Sequence, residues 1–223
     1  SGARAMSLLE LLLQEDEPHP VGSEANLRVR SRIVNWLDES GIKSEIQANW
    51  GCATRHNSCA WVENIVAQLP GQQDSRPFVA LMAHYDSVPT SAGAGDDGAG
   101  VAAVLETARA LKAQGPLPNP ILLIITDGEE AGLLGAEAFF KFHPLADKIG
   151  IILNVEGSGT TGPSMVLRTS MANASYMQEF SEGAEFPFGA SLANEVFKRM
   201  PNDTDFSVSM RAQVPGIDFA FSA

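Results

Sequence analysis

Histidine and acidic residues recur just past successive apolar, strand-like runs of this chain. His84-Tyr85-Asp86 follows Phe78 to Ala83, and Asp96-Asp97 sits inside the small-residue stretch Ala92 to Gly100. Glu129-Glu130 comes after the run Ile121 to Ile125 and the turn-like Asp127-Gly128, and Glu156 ends the run Ile151 to Val155. Imidazole and carboxylate groups are what divalent metal ions take as ligands, and open α/β sheets gather ligands at the carboxyl ends of their strands. The chemistry this pattern points to is metal-centred hydrolysis.

Each position also has a plainer reading. His84 alone could be a satisfied histidine at a strand end, with Asp86 two residues on able to fix its tautomer. Asp96, in a loop of the smallest residues, can approach and bridge two cations, whereas Asp97 also suits the N-cap of the helix that follows. Two adjacent carboxylates at a buried strand end repel each other unless cations or protons compensate, which suggests one ligand and one proton acceptor in Glu129-Glu130. The alternative is a pair of first-turn acids at the N-terminus of a helix over 130–142.

The elements that must position these groups alternate. Apolar periodicity predicts helices around Leu8 to Leu13 and from Asn26 to Ser40, then strands over Lys43 to Gln47 and Ala60 to Leu69. The centre reads as strand 78–83, helix 98–113, strand 120–126, helix 130–142 and strand 149–155, a βαβαβ run. Beyond Gly157 the pattern gives a strand at Met165 to Arg168, helices from Asn173 to about Gly183 and near Asp205 to Met210, and a strand at Gly216 to Phe221. The fold class is α/β, a mixed, mostly parallel central sheet with helices on both faces. Residues 1–223 read as one domain.

With 15 Lys and Arg against 27 Asp and Glu, the net charge is -12. That balance lacks the basic stripe nucleic acid requires, so no nucleic-acid partner is expected. No apolar run reaches the roughly 18 residues of a membrane helix, so any membrane attachment would come from segments outside this sequence. Cys52 and Cys59 bracket a short polar stretch that suits a loop or hairpin closed by a disulfide, which would imply an oxidising compartment. Two free thiols, or a zinc site shared with His56 but lacking the usual finger spacing, are the alternatives.

The blocks His84-Tyr85-Asp86-Ser87, Gly95-Asp96-Asp97-Gly98-Ala99-Gly100, Asp127-Gly128-Glu129-Glu130-Ala131-Gly132-Leu133-Leu134-Gly135 and Asn154-Val155-Glu156 resemble, in order and spacing, metallopeptidase family 28, the co-catalytic zinc aminopeptidases and carboxypeptidases. Pro18 to Asn26 and Asn202 to Phe206 look similar to its membrane-anchored branch. The resemblance implies a zinc aminopeptidase-like α/β/α sandwich carried on the lumenal or extracytoplasmic side of a membrane, in a periplasm, endoplasmic reticulum or vacuole. It implies two zincs, with Asp96 bridging both, His84 and Glu156 completing one and Glu130 binding the other. Glu129 would be the general base and Asp86 would orient His84, with the Asp96-Asp97 peptide bond cis. The implied substrates are peptide or protein N-termini.

One departure from the family stands out. Its final histidine ligand follows the strand that Gly216 to Phe221 resembles, and no histidine follows here, so the second zinc lacks that ligand in this chain. The expectation is that the natural protein continues past Ala223. His19, His56 and His143 are the other histidines, none in the matching block. Two other functions stay open: a non-catalytic binding or assembly module on the peptidase fold, and a single-zinc, glutaminyl cyclase-like transferase.

Overall fold

The computed structural model describes residues 1–55, 57–73, 75–157, 161–189, 195, 197, 199 and 203–221. His56, Asn202 and Ala223, each named above, lie outside them. Helices α1 (Gly2–Leu12), α2 (Glu24–Glu39), α3 (Ala99–Gln114), α4 (Leu134–Phe142), α5 (Ala174–Gly183) and α6 (Phe206–Arg211) surround strands β1 (Ser44–Ala53), β2 (Ser58–Leu69), β3 (Phe78–His84), β4 (Ile121–Thr126), β5 (Ile149–Gly157), β6 (Ser164–Thr169) and β7 (Gly216–Phe221). The strands form one sheet in the order β1-β2-β4-β3-β5-β7-β6. Its four central strands are mutually parallel, and antiparallel strands flank them on both sides.

Period-two alternation divides the core between the two faces. Leu81 and Ala83 of β3 and Ile121, Leu123 and Ile125 of β4 pack with Leu8, Leu12, Val29, Ile33, Leu37, Val101 and Leu105 of α1, α2 and α3. The intervening Ala80, Met82, Leu122 and Ile124 pack on the opposite face with Phe139 of α4. Helix α2 starts where the Ser23 side chain accepts a hydrogen bond from the Asn26 amide at 3.1 Å, an N-cap that satisfies one orphan donor. Its buried stripe then falls at Val29, Ile33 and Leu37.

Two elements differ from the sequence reading. β1 and β2 run on to Ala53 and back from Ser58, so the stretch around the cysteines is paired strand rather than loop. Trp50 opposes Trp61 and Cys52 opposes Cys59, and the two cysteines form a disulfide. Because β2 pairs with β4 only over Ile65–Leu69, this hairpin overhangs the carboxyl ends of the parallel strands. The helix expected over 130–142 begins only at Leu134, since Gly132 (φ 119°) and Leu133 (φ 63°) take left-handed conformations that a right-handed helix excludes. Glu129 and Glu130 therefore lie in a loop and not in a helical first turn.

Candidate active site

His84, Thr126 and Glu156 end three neighbouring parallel strands, on the sheet face that α4 and α6 cover. The segment Ala94–Gly98 swings Asp96 toward the same point. That approach depends on Gly157, where a Cβ would lie 1.9 Å from the Gly95 carbonyl oxygen. The peptide bond Asp96-Asp97 is cis. Asp97, one residue before the Gly98 N-cap of α3, has its Oδ1 accepting from the Gly100 amide at 3.1 Å, and its Oδ2 accepts from the His84 amide at 3.3 Å.

His84 is buried. Its Nδ1 faces the Asp86 backbone carbonyl at 3.1 Å and the Asp86 carboxylate at 3.5 Å. A carbonyl can only accept, so Nδ1 carries a hydrogen, and once the ring is neutral Nε2 is the nitrogen with a lone pair to offer. That nitrogen lies 3.0 Å from Asp96 Oδ1 and 3.2 Å from Glu156 Oε1. Three electron-rich atoms converging this way need a proton or a cation between them. Among the described residues, His84, Asp96 and Glu156 are the one group whose ligand atoms lie within 4.8 Å of one another. Their spacing is close to the edge of about 3.3 Å in a tetrahedron of 2.0 Å metal bonds, and one imidazole with carboxylates is a donor set that suits zinc.

The acids around this point repel one another. Burial first, then the charge of Asp96, pushes the Glu130 carboxyl up to about 7. Burial does the same to Glu156, also raised to about 7, against the opposing pull of His84. Glu129 is driven well above the carboxylate range by burial, His84 opposing and Glu156, Asp205 and Asp86 reinforcing. Burial works against protonation of His84, but Glu156, Asp86 and Asp96 hold its pKa well above the ordinary value. A site that retains this much proton affinity is primed to exchange protons for cations.

Asp86 does more than face His84. Its Oδ1 accepts from the Glu129 amide at 2.9 Å and its Oδ2 from the Glu130 amide at 3.2 Å, which fixes the loop holding both glutamates. Asn26 and Asn64 brace that loop from behind. Asn26 Nδ2 donates to Asp127 Oδ1 at 2.9 Å, and the Asp127 amide donates to Asn64 Oδ1 at 3.0 Å. Asn26 was visible only as the last residue of a family block and Asn64 not at all, because a buried amide is indistinguishable from a surface one until the chain is folded. Asp205, buried at the start of α6, was visible only as part of a family block without a role.

The other described histidines, His143 and His19, are not members of this cluster. His143 closes α4, stacks on Phe139, and places Nε2 3.1 Å from Glu45. His19 is buried with Nδ1 3.2 Å from the Glu17 carbonyl, its loop hydrogen-bonded to Ser87.

The family model of Peptidase family M28 matches residues 64–223, more than half of the chain. The chain is 32% identical over 211 residues to a vacuolar membrane protease of Candida albicans, covering 92% of this chain and 24% of that protein. It is 34% identical over 164 residues to endoplasmic reticulum metallopeptidase 1 of Rattus norvegicus, covering 72% and 18%. The chain thus spans about a quarter or less of the length of these relatives. Among solved structures, a zinc aminopeptidase from Bacillus subtilis superposes with a TM-score of 0.77 at 15% identity, covering 98% of this chain and 84% of that one. A Porphyromonas gingivalis glutaminyl cyclase gives 0.76 at 20% identity, covering 100% and 84%. These structural likenesses speak for the shared fold, while the matched blocks and the family model together establish that this chain belongs to Peptidase family M28.

Proposed function

We infer that the chain is the peptidase part of a zinc exopeptidase acting on peptide or protein N-termini. The observation that carries this is the convergence of His84 Nε2 with Asp96 Oδ1 and Glu156 Oε1 at 3.0 and 3.2 Å, beside a buried glutamate whose pKa is raised. Bound zinc would supply Lewis acidity, polarising the scissile carbonyl and acidifying water. His84, Asp96 and Glu156 would hold one ion, and Asp96 with Glu130 would contact a second. Glu129, buried and raised in pKa, would take a proton from the attacking water and deliver it to the leaving amine nitrogen. Asp86 would keep Glu129 within reach through the loop amides and hold His84 in the tautomer a ligand needs.

The membrane-associated names of the relatives and the disulfide support a lumenal or extracytoplasmic setting. No helix among the described residues is long and apolar enough to cross a membrane.

The test is a panel of peptides with free N-termini, blocked N-termini and N-terminal glutamine, assayed with zinc and with chelator. Chelator-sensitive release of residues from free N-termini only is the expected result. Conversion of N-terminal glutamine without hydrolysis would assign a cyclase-type transferase instead. Zinc binding with no turnover of any peptide would favour a binding module.

A further inference from the structure

Asp205 is a buried acid that the chemistry above does not use. It is the N-cap residue of α6, against the strand ends that carry His84, Thr126 and Glu156. Its Oδ2 lies 2.5 Å from Thr126 Oγ1, and its Oδ1 is buried with no hydrogen-bond partner among the described residues. Thr126 Oγ1 also lies 3.2 Å from the Ala83 carbonyl oxygen. A threonine hydroxyl has one hydrogen, and a carbonyl oxygen supplies none. If that hydrogen serves Ala83, the short contact to Asp205 must be bridged by a hydrogen from the acid. The charges facing Asp205 are His84 from β3, Glu156 from β5, Asp86 from the loop after β3 and, across the β4–α4 loop, Glu129.

We propose that Asp205 is a positioning residue that acts as a neutral carboxylic acid, donating to Thr126 Oγ1, which donates in turn to the Ala83 carbonyl. The chain of two hydrogen bonds joins α6 to the ends of β3 and β4 and adds no negative charge to a site already crowded with carboxylates. It fixes Thr126, three residues before Glu129. Burial, opposed by the Thr126 contact and by His84 and reinforced by Glu156 and Asp86, raises the Asp205 carboxyl to about 7, in the same sense.

The positioning role rests on the reading of the His84 cluster as the reaction centre, so the test has an arm independent of it. Thermal unfolding in chelator at pH 6 is measured for Asp205→Asn, Asp205→Ala, Thr126→Val and the pair Asp205→Ala with Thr126→Val. Asparagine can donate where the neutral acid donates and should stay within about 2 °C of the parent, whereas alanine removes that donor and leaves a cavity, and Thr126→Val strands the buried acid, so each should lower the midpoint by about 5 °C. The double variant should lose less than the sum of the two. In the zinc-loaded protein, Asp205→Ala should lower kcat at least about tenfold with KM little changed, and Asp205→Asn should restore it to within about threefold, with zinc content unaltered in both.

An asparagine variant as damaged as alanine, or one that loses zinc, would show that the charge of Asp205 is what matters and overturn the proposal. Additive losses in the double variant would equally remove the Thr126 link. If the zinc-loaded parent proves inactive, the site reading fails alone and the unfolding data still decide the state of Asp205.

Discussion

Glu129 and Glu130 share a loop, a strand end and a brace on Asp86, yet their surroundings separate them. Glu129 is buried and pushed well up by that burial, while Glu130 is half-buried, reaches about 7 and feels Asp96 as its strongest neighbouring charge. In the proposed function that division suits Glu129 to the proton and Glu130 to the cation. Glu129→Gln should therefore lower kcat by about 10²–10⁴-fold while zinc per chain, measured by elemental analysis, stays nearly constant. A large loss of metal would exchange the two roles. Glu156→Ala removes one of the two carboxylates facing His84 Nε2 and should weaken zinc binding by more than the roughly 10–100-fold typical of losing an outer partner. A variant with full metal and full activity would remove Glu156 from the site. The residues proposed to do the chemistry, of which the fold brings His84, Asp96 and Glu156 together, were conspicuous in sequence as acids and a histidine after apolar runs. Asn26, Asn64 and Asp205 were not, since their importance lies in burial and in partners 63 to 101 positions away.

The strands and helices of the centre were legible because one apolar period governs each of them, and the βαβαβ run from Phe78 to Glu156 matches the fold closely. Legibility failed where local conformation departs from period. The left-handed Gly132 and Leu133 delay α4, and the β1–β2 hairpin continues through a polar stretch because cross-strand pairing, not hydrophobicity, sustains it. Gly157 is a third such place: in sequence it merely ends a strand, but in the fold it lets the Asp96 segment lie against β5. A Cβ there would meet Gly95 O at 1.9 Å and Asp96 Cα at 2.9 Å, both backbone atoms that cannot rotate away. Gly157→Ala should destabilise by about 1–3 kcal/mol and displace Asp96, so that zinc affinity falls along with the unfolding midpoint. Gly183, with nothing within 4 Å of its would-be Cβ, is the matching control, and Gly183→Ala should leave both unchanged. Equal zinc affinity in the two variants would mean that β5 does not set the position of Asp96.

The charge of the molecule as a whole gives the folded chain a distinct dependence on pH. Glu130, Glu156 and Asp205 are each raised to about 7, Asp127 to about 6, and Glu129 and Asp97 well above their ordinary range, in every case chiefly by burial. An acid whose pKa is higher folded than unfolded holds its proton longer in the native state. Its stabilising contribution is complete below the unfolded pKa near 4 and is lost as pH climbs through the folded value. His84, also raised, contributes with the same sign over a higher window. Without metal, the chain should thus be less stable at pH 8 than at pH 5, by about 5 °C in unfolding midpoint, opposite to a protein whose carboxylates are salt-bridged. Zinc competes with those protons, so the midpoint gained on adding zinc should be larger at pH 8 than at pH 5. Unfolding scans at both values, with chelator and with zinc, measure all four midpoints. A chelated protein that gains stability between pH 5 and pH 8, or a zinc increment that shrinks over that range, would mean that the carboxylates do not share one cation-dependent site. The joint outcome expected here would instead tie the acidity of the chain, its buried histidine and its converging strand ends to a single demand for positive charge.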